Sequence, residues 1–375
     1  MTGKRPKKVR VEFRKNRAGR AREQNLTHKA LEDLDAAADR QQSERLTGKG
    51  AITRRRTVLA DGDVGSALPQ LAVDAERCMA GRVLRAIGAN HCSVQGGDGR
   101  VLECTVRRLV RTMSRDVRNA VVVGDQVLVE PQDDWHGVIV RVETRRTTIS
   151  RGSDRHEHVI AANIDQAVIV TSAAEPQLKP ALVDRFIVSA EKGGVRPVVC
   201  ISKVDLVDRP DLEHVADIYR RIGYDVVLSS IVTGEGIEPL RSILHDRVSV
   251  VAGQSGVGKS SLINALDSSQ QLATGGVSED SGKGRHTTRV AALLPLASGG
   301  WIVDTPGIRQ MQLWDVAPFE IEGYFRDFLP HIPHCRFPDC THSHEHSCAV
   351  KQAVERGEIA SLRYQGYLRM LLGDE

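Results

Sequence analysis

No stretch of eighteen consecutive apolar residues occurs in the 375-residue chain, so no segment is suited to cross a membrane as a helix. The first residues also lack the apolar core of a secretion signal. Lys4, Arg5, Lys7, Lys8 and Arg10 make that end a charged one, and the chain is read as cytoplasmic with no membrane partner. Seven cysteines are an odd number for a disulfide framework, and three of them, Cys335, Cys340 and Cys348, crowd into one histidine-rich segment. A metal in a reducing compartment fits that distribution better. No internal repeat is found.

What is present is enough for real cores: 41% of residues are apolar, and the length suits two or three domains. Charge is unevenly spread. Residues 1–60 hold 17 Lys and Arg against 7 Asp and Glu, a net +10 in a chain whose total is +4, so everything beyond sums to −6. With few aromatics and the triplet Arg54-Arg55-Arg56, this arm has too little apolar surface to offset the entropy of ordering. Residues 1–78 are therefore expected to form a disordered basic extension. Each Lys or Arg set beside a phosphate releases counterions, so such an arm favours nucleic acid regardless of sequence; a solubilising tail is the plainer alternative.

Short apolar runs then alternate with glycine-rich turns at 81–84, 101–106, 121–123, 126–129 and 137–142. Several strands in so short a span predict an OB-type β-barrel over residues 79–150, with Arg100, Arg107, Arg108, Arg111 and Arg115 available to line an RNA-binding face. From Ile160 the pattern becomes apolar strand followed by amphipathic helix, the mark of a mostly parallel α/β sheet. Strands are expected at 166–170, 198–201, 226–228, 248–251 and 300–303, and helices at 181–192, 211–222 and 259–266. This α/β region is assigned residues 151–314.

Gly253-Gln254-Ser255-Gly256-Val257-Gly258-Lys259-Ser260 is a phosphate loop in its required strand–loop–helix context. Its glycines let backbone N–H groups converge on phosphate oxygens, Lys259 neutralises the terminal phosphates, Ser260 offers a hydroxyl to Mg²⁺, and Ser261 reaches an adjacent phosphate. Ser202-Lys203-Val204-Asp205 reads as a guanine-recognition motif, in which Asp205 accepts from both the ring N1–H and the exocyclic amine while Ser229 or Ser230 supports the base edge. The base-reading motif precedes the phosphate loop, the reverse of the ordinary order, which points to a circularly permuted GTPase. Common GTPases carry Asn where Ser202 stands, so weaker affinity with guanine preference retained is expected.

Asp304-Thr305-Pro306-Gly307 closes a strand where a carboxylate would hold a metal-bound water and a glycine N–H would sense the γ-phosphate. Between the two anchors, Gly284-Arg285-His286-Thr287-Thr288 suits a mobile switch, with Thr288 first and Thr287 second in line to close on Mg²⁺. The residue after Gly307 is Ile308, which cannot orient water, so another group must position the nucleophile. His286 is the nearest candidate in sequence; contact with RNA is its alternative role.

Cys335-x₄-Cys340-x-His342-x₅-Cys348 supplies three thiolates and an imidazole, the complement of one closed, structural Zn²⁺ site. His331, His334, His344 and His346 remain alternatives to His342 as the fourth ligand. Residues 349–372 are expected to be helical, with Lys351, Arg356, Arg363 and Arg369 exposed among Tyr364, Tyr367 and leucines. Residues 315–375 form the C-terminal helical zinc-binding domain in this reading.

The joint order of these motifs resembles that of the ribosome small-subunit-dependent GTPase A family, over roughly residues 80–375. The resemblance implies an OB domain, a permuted GTPase and a zinc domain that clasp the maturing small ribosomal subunit through its rRNA. It also implies hydrolysis stimulated by the subunit and coupled to release, and a catalytic role for His286. The chain would act as a monomer binding GTP and GDP. Two readings from other classes stand beside it: an RNA-binding scaffold whose nucleotide pocket is mainly structural, and an ATP-using phosphate-loop enzyme, which Asp205 disfavours.

Overall fold

The computed structural model describes residues 7–12, 55–61, 70–71, 77–87, 90–113, 120–151, 158–268, 291–304 and 316–373. Two compact units are present, one of residues 1–72 with 108–115 and one of residues 73–107 with 116–375. The first contains a three-stranded antiparallel sheet of β1 (Lys7–Glu12), β2 (Arg55–Asp61) and β3 (Gln70–Leu71), together with helix α1 (Arg108–Met113). Val9 pairs with Val58 and Val11 with Arg56. The expected disorder of the arm is corrected over these strands: Val9 and Val11 alternate with Lys8, Arg10 and Glu12, a period of two that favours a strand over a solvated coil.

In the second unit, β4 (Met79–Ile87), β5 (His91–Gly96), β6 (Val101–Val106), β7 (Gln126–Pro131) and β8 (His136–Val142) pair in the order β4-β5-β6-β8-β7, and a β4–β7 ladder closes the barrel. Only β6 and β8 run parallel; the other pairings are antiparallel. Along β6 exposed and buried residues alternate strictly, with Leu102, Cys104 and Val106 turned inward. Two expectations are corrected. Strand β5 carried too mixed a pattern to be foreseen, and Val121-Val122-Val123 is not a strand. There Asp125 accepts from Val122 N–H at 2.8 Å and folds the chain into a turn, leaving Val123 a single parallel bridge to Ala161.

The α/β region begins with a hairpin of β9 (Thr148–Arg151) and β10 (His158–Ala162). It continues through β11 (Gln166–Ser172), α2 (Pro180–Lys192), β12 (Arg196–Ser202), α3 (Arg209–Arg221), β13 (Asp225–Ser229), α4 (Ile237–Leu244), β14 (Val248–Ala252), α5 (Lys259–Leu266), β15 (Ala292–Pro295) and β16 (Trp301–Asp304). The sheet order is β13-β12-β11-β14-β16-β15, parallel except for β15. Apolar runs such as Ala167-Val168-Ile169-Val170 fit this position, because both faces of a central parallel strand are covered. A single pair, Ala292 with Arg85, joins this sheet to the barrel.

Beyond residue 315 the chain makes short 3₁₀ turns at Pro318–Tyr324 and Ile332–His334, then α6 (Ala349–Glu355) and α7 (Ser361–Leu372). The single helix expected over 349–372 is interrupted at Gly357, whose φ of 75° ends α6. A second correction concerns Arg363, expected on the surface: its side chain is fully buried between α7 and α2. Its guanidinium bonds Asp184 of α2 and reaches both Asp327 oxygens at 3.0 and 3.2 Å, while lying 4.3 Å over the Phe325 ring. Gly366 permits the close approach, since a Cβ there would meet Asp184 Oδ2 at 2.2 Å.

Candidate nucleotide and metal sites

The phosphate loop leaves β14 at Gly253 and enters α5 at Lys259. Gly253 is required twice over, by a φ of 143° and by Val170 O, which would lie 2.0 Å from an added Cβ. Gly258, at φ 92°, is the residue preceding α5 and turns the chain from the loop into that helix. Lys259 Nζ donates to Gly253 O at 2.7 Å and Gln254 O at 2.6 Å, which folds the ammonium across the loop it serves. Ser255 and Gly256 are exposed, Gln254, Ser260 and Ser261 half-buried, and Val257 anchors the loop in the core beneath β12.

The turn that begins at Ser202 and Lys203 lies beside this loop, through contacts that join residues 55 and 53 apart in the chain. In the sheet Ser172, Ser202 and Ser229 are register partners across β11, β12 and β13, and β14 pairs with the other edge of β11. The carboxyl ends of all four strands therefore share one edge, where open α/β sheets bind ligands. The Ser202 hydroxyl lies 2.7 Å from Val257 O and 3.0 Å from Thr171 O. Lys203 Nζ donates to Gly256 O at 3.0 Å and also to Glu175 O. Lys203 takes a left-handed conformation, φ 58°, that starts the 3₁₀ turn Val204–Leu206; Val204 is buried and Asp205 exposed. Asp205 borders a cleft of about 660 Å³ with Ala173, Gln177, Leu178, Leu206 and Leu212.

Ser229 and Ser230 reach the same edge, but both are buried and their hydroxyls face protein. Ser229 Oγ lies 3.3 Å from Cys200 Sγ, and Ser230 Oγ accepts from Val232 and Thr233 N–H, each at 3.2 Å. The backbone of Asp304 ends β16, adjacent to β14. Gly284, Arg285, His286, Thr287, Thr288, Gly307 and Ile308 lie outside the described residues.

Cys335, Cys340, His342 and Cys348 converge, with every ligand atom within 4.8 Å of the others. Tetrahedral bonds of about 2.3 Å would set two zinc-bound sulfurs about 3.8 Å apart. Cys335 Sγ and Cys348 Sγ lie 3.9 Å apart, and His342 Nδ1 lies 3.5 and 3.4 Å from these two sulfurs. The donor set and spacing fit zinc. His331 and His344 point elsewhere, toward Glu358 and Ser343. Sequence reasoning missed the outer partners. His342 Nε2 lies 2.8 Å from Glu322 Oε2, which fixes the imidazole so that Nδ1 faces the cluster. Tyr364 and Tyr367 of α7 donate to the carbonyls of His342 and Thr341 at 2.7 and 2.9 Å. No local motif announces Glu322, which approaches from twenty residues upstream.

A glycine-rich loop with the phosphate-loop sequence, leaving the central strand of a parallel sheet and bonded to the Ser202–Asp205 turn that precedes it in the chain, is the layout of a circularly permuted GTPase. The family model described as RsgA GTPase matches residues 142–314. The small ribosomal subunit biogenesis GTPase RsgA of Caldanaerobacter subterraneus subsp. tengcongensis is 41% identical over 293 residues, covering 78% of this chain and 94% of its own length. Its namesake in Yersinia enterocolitica is 38% identical over 331 residues, covering 85% and 89%. Among solved structures, YjeQ from Thermotoga maritima superposes with a TM-score of 0.66 at 34% identity, over 80% of this chain and 100% of that one. YloQ, described as a circularly permuted GTPase, gives 0.63 at 30%, over 80% and 97%. The chain belongs to the RsgA GTPase family.

Proposed function

We propose that this GTPase acts in biogenesis of the small ribosomal subunit, binding the subunit and its rRNA as a cytoplasmic monomer, with hydrolysis stimulated by the subunit and coupled to release. The observation that supports the nucleotide reading is the pair of bonds from Ser202 and Lys203 to Val257 and Gly256, which hold the Ser202–Asp205 turn against the glycine-rich loop. The subunit enters from the relatives' names. The layout that serves this function is a basic extension over 1–78, an OB barrel over 79–150, the permuted GTPase over 151–314 and a zinc-binding helical domain over 315–375.

Lys259 and the N–H groups of Gly253 to Ser261 hold the phosphates, and Asp205 reads guanine. Ser260 and Thr288 are the residues to hold Mg²⁺, which offsets phosphate charge when bound, with Asp304 behind them. Because Ile308 has no side-chain polar atom to aim at water, His286 positions the nucleophile, and turnover stays slow until the subunit engages that segment. Gly307 senses the γ-phosphate, and its loss loosens the grip of the C-terminal domain on rRNA. One structural Zn²⁺ on Cys335, Cys340, His342 and Cys348 keeps that domain's shape.

GTP turnover with and without purified small subunits tests the reading. Stimulation is expected, and His286→Ala abolishes it while GTP binding persists. Turnover that ignores the subunit would favour the scaffold reading, and equal subunit affinity with GDP and a non-hydrolysable GTP analogue would end the release coupling. Competition between GTP and ATP separates the guanine from the adenine enzyme.

A further inference from the structure

Ser202 is 6% exposed and its hydroxyl faces two main-chain carbonyls, Val257 O of the phosphate loop and Thr171 O of β11. A hydroxyl has one hydrogen to give, and both neighbours are acceptors only, so that hydrogen is committed inside the protein. Its lone pairs offer nothing to guanine N7 or O6, because these are themselves acceptors. An asparagine amide has two hydrogens and can hold a loop carbonyl with one while donating outward with the other. Resting on the guanine-binding reading above, we propose that Ser202 is a positioning residue that ties β12 to the phosphate loop. The pocket accordingly selects guanine through its N1–H and 2-amino donors at Asp205, without reading N7.

The consequence is an unusual tolerance. A guanine nucleotide whose N7 is replaced by C–H presents the same donors to Asp205 and loses nothing at position 202. Lys203 does not fill the role, since its ammonium already serves Glu175 O and Gly256 O and its stem lies along the loop.

Calorimetric titration of the full chain with GDP, 7-deaza-GDP and inosine diphosphate is the test. Wild type is expected to bind 7-deaza-GDP within about twofold of GDP, and inosine diphosphate, which lacks the 2-amino donor, about tenfold or more weakly. Ser202→Asn is expected to create a preference for GDP over 7-deaza-GDP of about 3- to 10-fold, the worth of one neutral hydrogen bond. Ser202→Ala weakens all three nucleotides together and leaves their ratios at the wild-type values, which separates positioning from base reading. A fivefold or larger loss with 7-deaza-GDP in the wild type would overturn the proposal, and this measurement needs no variant to fold. Equal binding of GDP and inosine diphosphate would overturn the Asp205 reading instead, so the two failures are told apart.

Discussion

Replacing Arg363 by Met should be the most damaging single change outside the nucleotide site. The guanidinium, Asp184 and Asp327 have side-chain exposures of 0%, 0% and 4%, so the substitution leaves two carboxylates in the interior with their cation gone. Removing one partner from a buried ionic cluster costs about 3–5 kcal/mol, because an uncompensated charge is more expensive than the pair was worth. Loss of the contact over Phe325 adds up to about 2 kcal/mol. Against a total stability of about 5–15 kcal/mol, that is enough to release α7 from α2 without melting the α/β sheet. Hydrogen exchange of peptides from 318–332 and 361–372 reads this directly: a 3 kcal/mol loss accelerates exchange about 150-fold where exchange follows the opening equilibrium. Adding Asp184→Asn and Asp327→Asn to Arg363→Met should restore most of the protection, since the penalty lies in unpaired charge and not in missing volume. Unchanged exchange in Arg363→Met, or no recovery in the triple variant, would refute the reasoning.

Four further outcomes are expected. Burial pushes the Asp184 carboxyl up to about 6 from 3.8 despite the opposing pull of Arg363, and one of its oxygens has no hydrogen-bond partner. The folded state thus keeps a proton that the unfolded chain loses between about pH 4 and 6, so this group's contribution falls as pH rises through that window, by on the order of 1–3 kcal/mol. Denaturant midpoints of Asp184→Asn and wild type, compared at pH 4.5 and 7.5, should diverge accordingly; a constant difference argues against it. Glu322→Gln weakens the acceptor behind His342, and competition with a chromophoric chelator should show zinc affinity about 10- to 100-fold lower. Stripping the metal should release one zinc per chain and raise exchange in α7, whose Tyr364 and Tyr367 hold the His342 and Thr341 carbonyls. Gly253→Ala drives a methyl to 2.0 Å from Val170 O and should abolish nucleotide binding, measured by fluorescent-GDP titration, while β11 and β14 still form.

The phosphate loop and its flanking strand and helix were legible because each local requirement appears at fixed spacing: glycines, lysine, hydroxyls and an apolar run ending at Ala252. The cysteine cluster was legible for the same reason, while its fourth member stayed open among five histidines until packing placed His342 beside the three thiols. Strand β5 and helix α4 were missed since their patterns are short and mixed, and tertiary contacts stabilise them more than propensity does. Arg363 was misplaced because charge predicts exposure on average, whereas two aspartates from distant segments can make burial acceptable.

By itself the sequence determined which chemistries to look for, because the residue patterns suited to phosphate, guanine and zinc are local in sequence and each carries a mechanism with it. Their order also betrayed the permutation. Tertiary structure decided which groups face a ligand and which face protein: it committed the Ser202 hydroxyl to Val257 and Thr171, turned those of Ser229 and Ser230 inward, set Glu322 behind His342 and sealed Arg363 between α2 and α7. The physical reason is that a hydrogen bond or a buried charge is satisfied by whatever the fold brings within about 3 Å, and separation along the chain does not reveal that distance.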